Sequence, residues 1–256
     1  MTFTKSDPSG QPRFFEWEAA GLDWLRAAEP SGGARCVSVV EVGVGRIVLE
    51  DVPQVCPSTE AARGFGRALA RTHVEGARAF GSPPEGWDGP AYIGRRSMPC
   101  RPEDSWGRFY AEQRVRPFLE TAVAAGNLRS DDARLVERAL DPIASGVLDD
   151  DEPPARLHGD LWTGNVLWSA EGAVLIDPAA HGGHRETDLA MLALFGAPHL
   201  DEILRGYGEV HPLRDGAGDR VALHQLHPLA VHAAGHGPAY GRALAEAAQR
   251  VLDLVG

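Results

Sequence analysis

The stretch LHGDLWTGNVLWSAEGAVLIDPAAHGGHRETDLAMLAL, Leu157–Leu194, decides the fold. Within it His158, Asp160 and Asn165 have the spacing H-x-D-x-x-x-x-N. That is the spacing of a phosphotransfer catalytic loop, in which the Asp accepts the proton of the acceptor hydroxyl and the Asn holds a metal ion. Two short apolar runs follow, Val166–Trp168 and Ala173–Ile176, joined by the turn Ser169–Gly172. Such runs around a Gly-containing turn form a β-hairpin. Asn165 opens its first strand and Asp177 closes its second, so the two lie side by side. Asp160 sits on the loop that feeds the same end. Two carboxylates and one amide oxygen then converge on one point. Hard oxygen donors of this kind suit Mg2+, which completes its shell with water and phosphate oxygens. An HGD tripeptide alone is an ordinary turn. The full pattern, with a hairpin delivering a second Asp, points to phosphoryl transfer.

The block resembles the fructosamine kinase (ketosamine-3-kinase) family, relatives of aminoglycoside and choline kinases on the protein-kinase-like fold. HGD-x-x-x-x-N and I-D are common to aminoglycoside-type kinases. LHGDLWTGN, IDPAAHGGHRETDLAM and the following LFG are similar to fructosamine kinases in particular. The resemblance implies that Asp160 is the catalytic base and that Asn165 and Asp177 are Mg2+ ligands. It makes Asp188 a helix-borne carboxylate that braces the catalytic loop. It implies an α+β, two-lobed fold, with residues 1–52 as a small β lobe and 53–256 as a mostly helical lobe. It also implies ATP and Mg2+ as cofactors and a ketosamine or other glycated amine as the small-molecule substrate.

The N-terminal region fits this pattern. Lysine and arginine together number 25, yet Lys5 is the only lysine. A lone Lys among arginines either marks a place that suits a compact ammonium on a flexible stem or is chance in a solvated N-terminus, and composition alone does not separate the two. Lys5 ends a short β-prone run, Thr2–Lys5, and Arg13–Ala28 reads as a helix with Phe14, Trp17, Gly21, Leu22 and Leu25 near one face. A strand-borne Lys and a helix-borne Glu form the pair that grips the α- and β-phosphates. FTK…FEWEAAGL resembles the family's FVK…F-x-x-E-A-x-G-L, which assigns these roles to Lys5 and Glu18, with Glu16 the weaker candidate. Val37–Val42 and Arg46–Asp51 read as strands about a Gly43–Gly45 turn. By resemblance the second runs into the hinge, where the backbone of Glu50, Asp51 and Val52 would bond the adenine edge.

The remaining chain reads as helices over 58–80, 105–125, 129–145 and four C-terminal segments, 188–194, 201–207, 220–234 and 239–254. Pro117 predicts a kink. Residues 81–102 read as an irregular loop. There GWDGPAYIGRRSMPC keeps the family's Trp87, Ile93 and Gly94 but replaces its polar positions by Pro90-Ala91 and Arg95–Cys100, which bears on the acceptor rather than the fold. The scattered histidines, His224, His227, His232 and His236 or His181 and His184, lack an acid or Cys that would complete a metal site.

Composition excludes several classes. The net charge of -11 leaves no basic stripe for nucleic acid. Cys36, Cys56 and Cys100 form no disulfide framework or zinc knuckle. No run reaches transmembrane length and no export signal is evident, so a cytoplasmic location is expected. Finally, the resemblance would put two strands and a Gly-rich turn ahead of Lys5, so the small lobe is expected to be incomplete and the Lys5 strand to be a sheet edge. A start placed too late, a silent relative acting as a binding protein, and a site that works without a lid are the open explanations. An aminoglycoside or amino-alcohol kinase is the alternative by substrate.

Overall fold

Strand β1 (Thr2–Ser6) puts Phe3 and Lys5 on one face. In the computed structural model, which describes every residue from Met1 to Gly256, β1 pairs antiparallel with β4 (Arg46–Glu50), Lys5 lying opposite Ile47. β4 also pairs with β3 (Val39–Gly43), giving the order β1-β4-β3 with β1 at the edge, as expected. Helix α1 (Phe14–Arg26) buries Phe15, Ala19, Leu22 and Leu25 in the same core cluster as Ile47 and Leu49. A second stripe of α1 faces elsewhere: Trp17 enters the other core cluster, and a Cβ on Gly21 would lie 3.1 Å from Pro178. One helix thus ties the N-terminal sheet to the loop that follows Asp177.

The anticipated hairpin is present as β8 (Val166–Ser169) and β9 (Gly172–Leu175), with Val166 opposite Leu175. β2 (Arg35–Cys36) joins it in parallel, Cys36 opposite Leu175. The cluster that contains Leu22 and Ile47 also contains Phe65, Leu69, Trp168 and Ile203. Packing therefore runs continuously across Val52, the point where the sequence suggested a boundary between lobes.

Ser58 caps helix α2 (Thr59–Val74) by accepting from the Ala61 N–H. The helix stops at Val74 rather than at Phe80, because Gly76 (φ 70°) turns the chain out of it. Helix α3 (Trp106–Phe109) runs through a π-helical turn, Tyr110–Val115, into α4 (Arg116–Ala124). This is the break foreseen at Pro117. Proline cannot donate to the carbonyl of Gln113, and Arg114 Nη1 donates to it instead at 3.0 Å. Helices α5 (Ser130–Ala144), α6 (Glu186–Leu194), α7 (Leu200–Val210), α8 (Ala217–Ala233) and α9 (Pro238–Val255) complete the C-terminal part. Its core includes Phe109, Tyr110, Leu140, Ile143, Leu226 and Leu244. α7 can lie against α2 because Gly66 and Gly206 lack side chains: a Cβ would stand 1.9 Å from Ile203 O in one case and 2.0 Å from Arg63 O in the other.

Besides the β2–β9 pairing, two short pairings escape the sequence reading. Within residues 81–102, β5 (Tyr92–Ile93) and β6 (Arg96–Ser97) form a tight hairpin. β7 (Ala155–Leu157) pairs with β10 (His181–Gly183), a strand whose glycines carry no β-propensity. There the missing Cβ is the requirement, since one on Gly182 would lie 2.1 Å from Ala79 O. No helix is long and apolar enough to cross a membrane.

Candidate active site

The strand, helix, loop and hairpin described above meet at one cavity of about 650 Å3, lined in part by Lys5, Glu18, Asp160, Asn165 and Asp177. Lys5 Nζ donates to Glu18 Oε1 at 2.7 Å and also contacts the Asp177 carboxylate. Glu16 makes no such contact, so Glu18 is the partner of Lys5. Burial works against the Lys5 ammonium, but the Glu18 and Asp177 carboxylates outweigh it and hold its pKa above the ordinary value. The proton stays on Lys5.

Asp160 is set by its own loop. Asn165 Nδ2 donates to the Asp160 carbonyl at 2.8 Å and to its Oδ2 at 3.3 Å. The Trp162 N–H also donates to the Asp160 carbonyl, at 3.0 Å. The same Nδ2 lies 3.5 Å from the Asp177 carbonyl oxygen. The Ile176 N–H donates to Asn165 O at 3.1 Å, which fixes the end of the hairpin beside Asp177. Burial pushes the Asp160 carboxyl up to about 7; the Asn165 hydrogen bond opposes this, and the negative charges of Asp177 and Asp188 add to it. Asp177 itself has φ 54°, a left-handed conformation that Asp tolerates better than most residues.

Asp188 stands behind this loop at the start of α6, fully buried. Its Oδ2 accepts the His158 N–H at 2.8 Å and its Oδ1 the Gly159 N–H at 3.0 Å. His73 Nε2 lies 3.2 Å from Oδ2, and His73 Nδ1 lies 2.7 Å from the Tyr207 hydroxyl. A carboxylate only accepts, so Nε2 carries the His73 proton and Tyr207 donates to Nδ1. Burial is the largest influence and would raise the Asp188 carboxyl, but the interactions with His73 and His158 together outweigh it, and the net direction is down. His158 is kept neutral by burial; its Nε2 donates to Ile176 O at 2.9 Å and its Nδ1 accepts from the Asp160 N–H at 3.2 Å. His73 and Tyr207 were not legible as site residues, since they come from α2 and α7, far from the motif.

Gly159 gives this loop its shape. Its φ is 79°, and a Cβ there would lie 2.2 Å from Ala179 O. Gly159→Ala is expected to cost on the order of 2 kcal/mol or more in stability, from the left-handed backbone and the clash together. A thermal melt reads this directly. An unchanged Tm with unchanged turnover would mean that the loop is not held as described.

The expected hinge triplet stands apart. Glu50, Asp51 and Val52 lie outside the lining of the cavity. The Glu50 N–H donates to Ser38 O at 3.0 Å and the Asp51 N–H to Met1 O at 3.1 Å. The Glu50 carboxylate accepts from Arg35 Nη2 at 2.9 Å. Two of the three amides are thus engaged within the chain, and only that of Val52 makes no backbone hydrogen bond. The histidine expectation also needs correction, because an acid does join two of them. His184, Glu186 and His224 approach within 4.8 Å of one another. Arg220 occupies both Glu186 oxygens, at 2.6 and 3.0 Å, and His184 Nε2 faces Asp150 at 3.2 Å. Arg220 thus already neutralises Glu186, and the cluster is a polar network anchoring the start of α6.

The donor set suits the metal implied by the sequence. Asn165 and Asp177 both line the cavity, and an amide oxygen and a carboxylate are the hard oxygen donors that Mg2+ requires. Asp177 is at present turned to Lys5.

Comparison with known proteins agrees with this geometry. A family model described as fructosamine kinase matches residues 1–254. A crystal structure from Thermobifida fusca that carries a fructosamine-3-kinase assignment is 45% identical, covers 98% of this chain and 85% of that one, and superposes with a TM-score of 0.90. A Thermus thermophilus protein assigned as a ketoamine kinase is 32% identical over 94% of this chain and 83% of its own length. At 15% identity, an aminoglycoside phosphotransferase solved with ADP and hygromycin B shares the fold, with a TM-score of 0.54 over 93% of this chain and 82% of that one.

Proposed function

This chain belongs to the fructosamine kinase family, and from that premise we propose that it transfers the γ-phosphoryl group of ATP to a sugar hydroxyl of a ketosamine. The observation that carries the reading is the convergence of Lys5, Glu18, Asp160, Asn165 and Asp177 on one cavity. In the proposed mechanism Glu18 holds the Lys5 ammonium where it meets the α- and β-phosphates. Asn165 and Asp177 hold Mg2+, which when bound supplies positive charge to the transferring phosphoryl group. Asp160 orients the acceptor hydroxyl and takes its proton. Its position is fixed by Asn165 from one side and by the loop that Asp188 braces from the other. Little covalent work falls to the protein, so the rate depends on how well these groups are held.

Asp160 must be ionised to act as base. Burial raises its carboxyl to about 7, and a raised acid is ionised only above that value. In the free enzyme, kcat/KM is therefore expected to rise about tenfold per pH unit below about 7 and to level off above it. A profile flat from about pH 5 to 8 would remove Asp160 from the role of base. The test of the function itself is phosphorylation of a synthetic fructosyl-amine with ATP and Mg2+, read as a new phosphomonoester.

A further inference from the structure

The cavity that contains Asp160 has a second charged end. There Asp7, on the loop between β1 and α1, meets Arg95, at the tip of the β5–β6 hairpin. Arg95 Nη2 and Asp7 Oδ2 stand 3.6 Å apart, beyond hydrogen-bond distance, and the Arg95 side chain is 89% exposed. So loose and exposed a pair contributes little to stability.

The backbones that carry these two side chains are, by contrast, well anchored. Trp17 Nε1 donates to Tyr92 O at 2.9 Å, the Tyr92 hydroxyl donates to Pro12 O at 2.8 Å, and Arg96 Nη2 donates to Ala234 O at 2.9 Å. These bonds fix the hairpin to α1 on one side and to the end of α8 on the other. The Asp7 N–H donates to Gly45 O at 2.9 Å, and Ser9 Oγ donates to Asp7 Oδ1 at 3.3 Å. An ordered scaffold therefore presents one carboxylate oxygen and one guanidinium fork to the cavity in which the acceptor hydroxyl must lie.

We propose that this end of the cavity receives the amino-acid part of a ketosamine formed on a free α-amino acid, with Asp7 taking its secondary ammonium and Arg95 its α-carboxylate. The inference rests on the ketosamine reading above and narrows it. Joining a sugar to an amine leaves a secondary amine that is protonated at neutral pH. When the amine comes from an α-amino acid, a carboxylate sits one carbon away. The acceptor then carries fixed opposite charges side by side, the complement of Asp7 and Arg95. A guanidinium can grip that carboxylate with two parallel hydrogen bonds. A ketosamine of a simple alkylamine has the ammonium alone and leaves Arg95 as an unmatched like charge.

The experiment compares fructosyl-valine with fructosyl-isobutylamine, the same acceptor without its carboxylate, as substrates of the full chain with ATP and Mg2+. The parent is expected to favour fructosyl-valine by at least about tenfold in kcat/KM. That preference shrinks as salt is added. Arg95→Gln is expected to bring the ratio between the two acceptors close to one, the loss falling on fructosyl-valine, and Arg95→Lys to restore part of it. Asp7→Asn is expected to weaken both acceptors. Equal kcat/KM for the two in the parent overturns this inference and leaves the kinase reading standing. If neither acceptor is phosphorylated, the ketosamine reading falls and this inference with it.

Discussion

Asp160→Asn is expected to lower kcat by at least about a hundredfold while leaving ATP affinity nearly unchanged, the low end for loss of a positioned base. Asparagine matches the shape of aspartate and keeps one side-chain oxygen to accept the 3.3 Å contact from Asn165 Nδ2, and the shortest contacts that fix residue 160 use its backbone carbonyl, which accepts from Asn165 Nδ2 at 2.8 Å and from the Trp162 N–H at 3.0 Å. The variant loop therefore keeps its path and loses only the proton acceptor. The same change is expected to raise stability at pH 8. The folded carboxyl titrates near 7, well above the ordinary value of 3.8, so the folded state resists ionisation that the unfolded chain accepts freely. That penalty is complete above about pH 7 and fades as the pH falls towards about 4, so the gain in Tm fades with it. Turnover at the parent rate would remove Asp160 from the chemistry. Turnover lost along with Tm would mean that the change had disrupted the loop instead.

Asp177→Asn is expected to act on binding as well as rate. Replacing a carboxylate ligand by a neutral amide removes the charge that holds Mg2+ most strongly, and Lys5 loses one of its two acidic partners. The Kd for Mg·ATP is expected to rise by at least about tenfold, equivalent to about 1.4 kcal/mol, and kcat to fall with it. Metal-free ATP binding should change much less. The backbone favours a clean result, because residue 177 has φ 54° and asparagine adopts that conformation as readily as aspartate. Titration calorimetry with and without Mg2+ separates the cases. Equal losses in both would make Asp177 a brace for Lys5 rather than a metal ligand.

The parts of this fold that the sequence made legible are those written in short range. The β8–β9 hairpin follows from two apolar runs and a turn, and its ends bring Asn165 beside Asp177 without further information. The Lys5–Glu18 pair was accessible because FTK…FEWEAAGL resembles the family's pattern, the single lysine being only a secondary cue. The pairing of β7 with β10 was hidden because it depends on close backbone approach at Gly182, not on β-propensity. The hydrogen bonding of the hinge triplet was hidden for a tertiary reason: β1 begins beside the end of β4 in a register that spends the Asp51 N–H on Met1 O. His73 and Tyr207 support the catalytic loop through Asp188, yet no spacing rule links three residues from α2, α7 and α6. They meet only because Gly66 and Gly206 let α2 and α7 close on each other.

The central claim is phosphoryl transfer from ATP to a ketosamine hydroxyl at Asp160. Its most direct measurement is phosphorus NMR of fructosyl-valine incubated with ATP, Mg2+ and either the parent chain or Asp160→Asn. The account predicts ADP and one new sugar phosphomonoester in equal amounts with the parent, and neither at a comparable rate with the variant. ATP consumed with only inorganic phosphate released, or a phosphomonoester formed equally fast by both proteins, would contradict it.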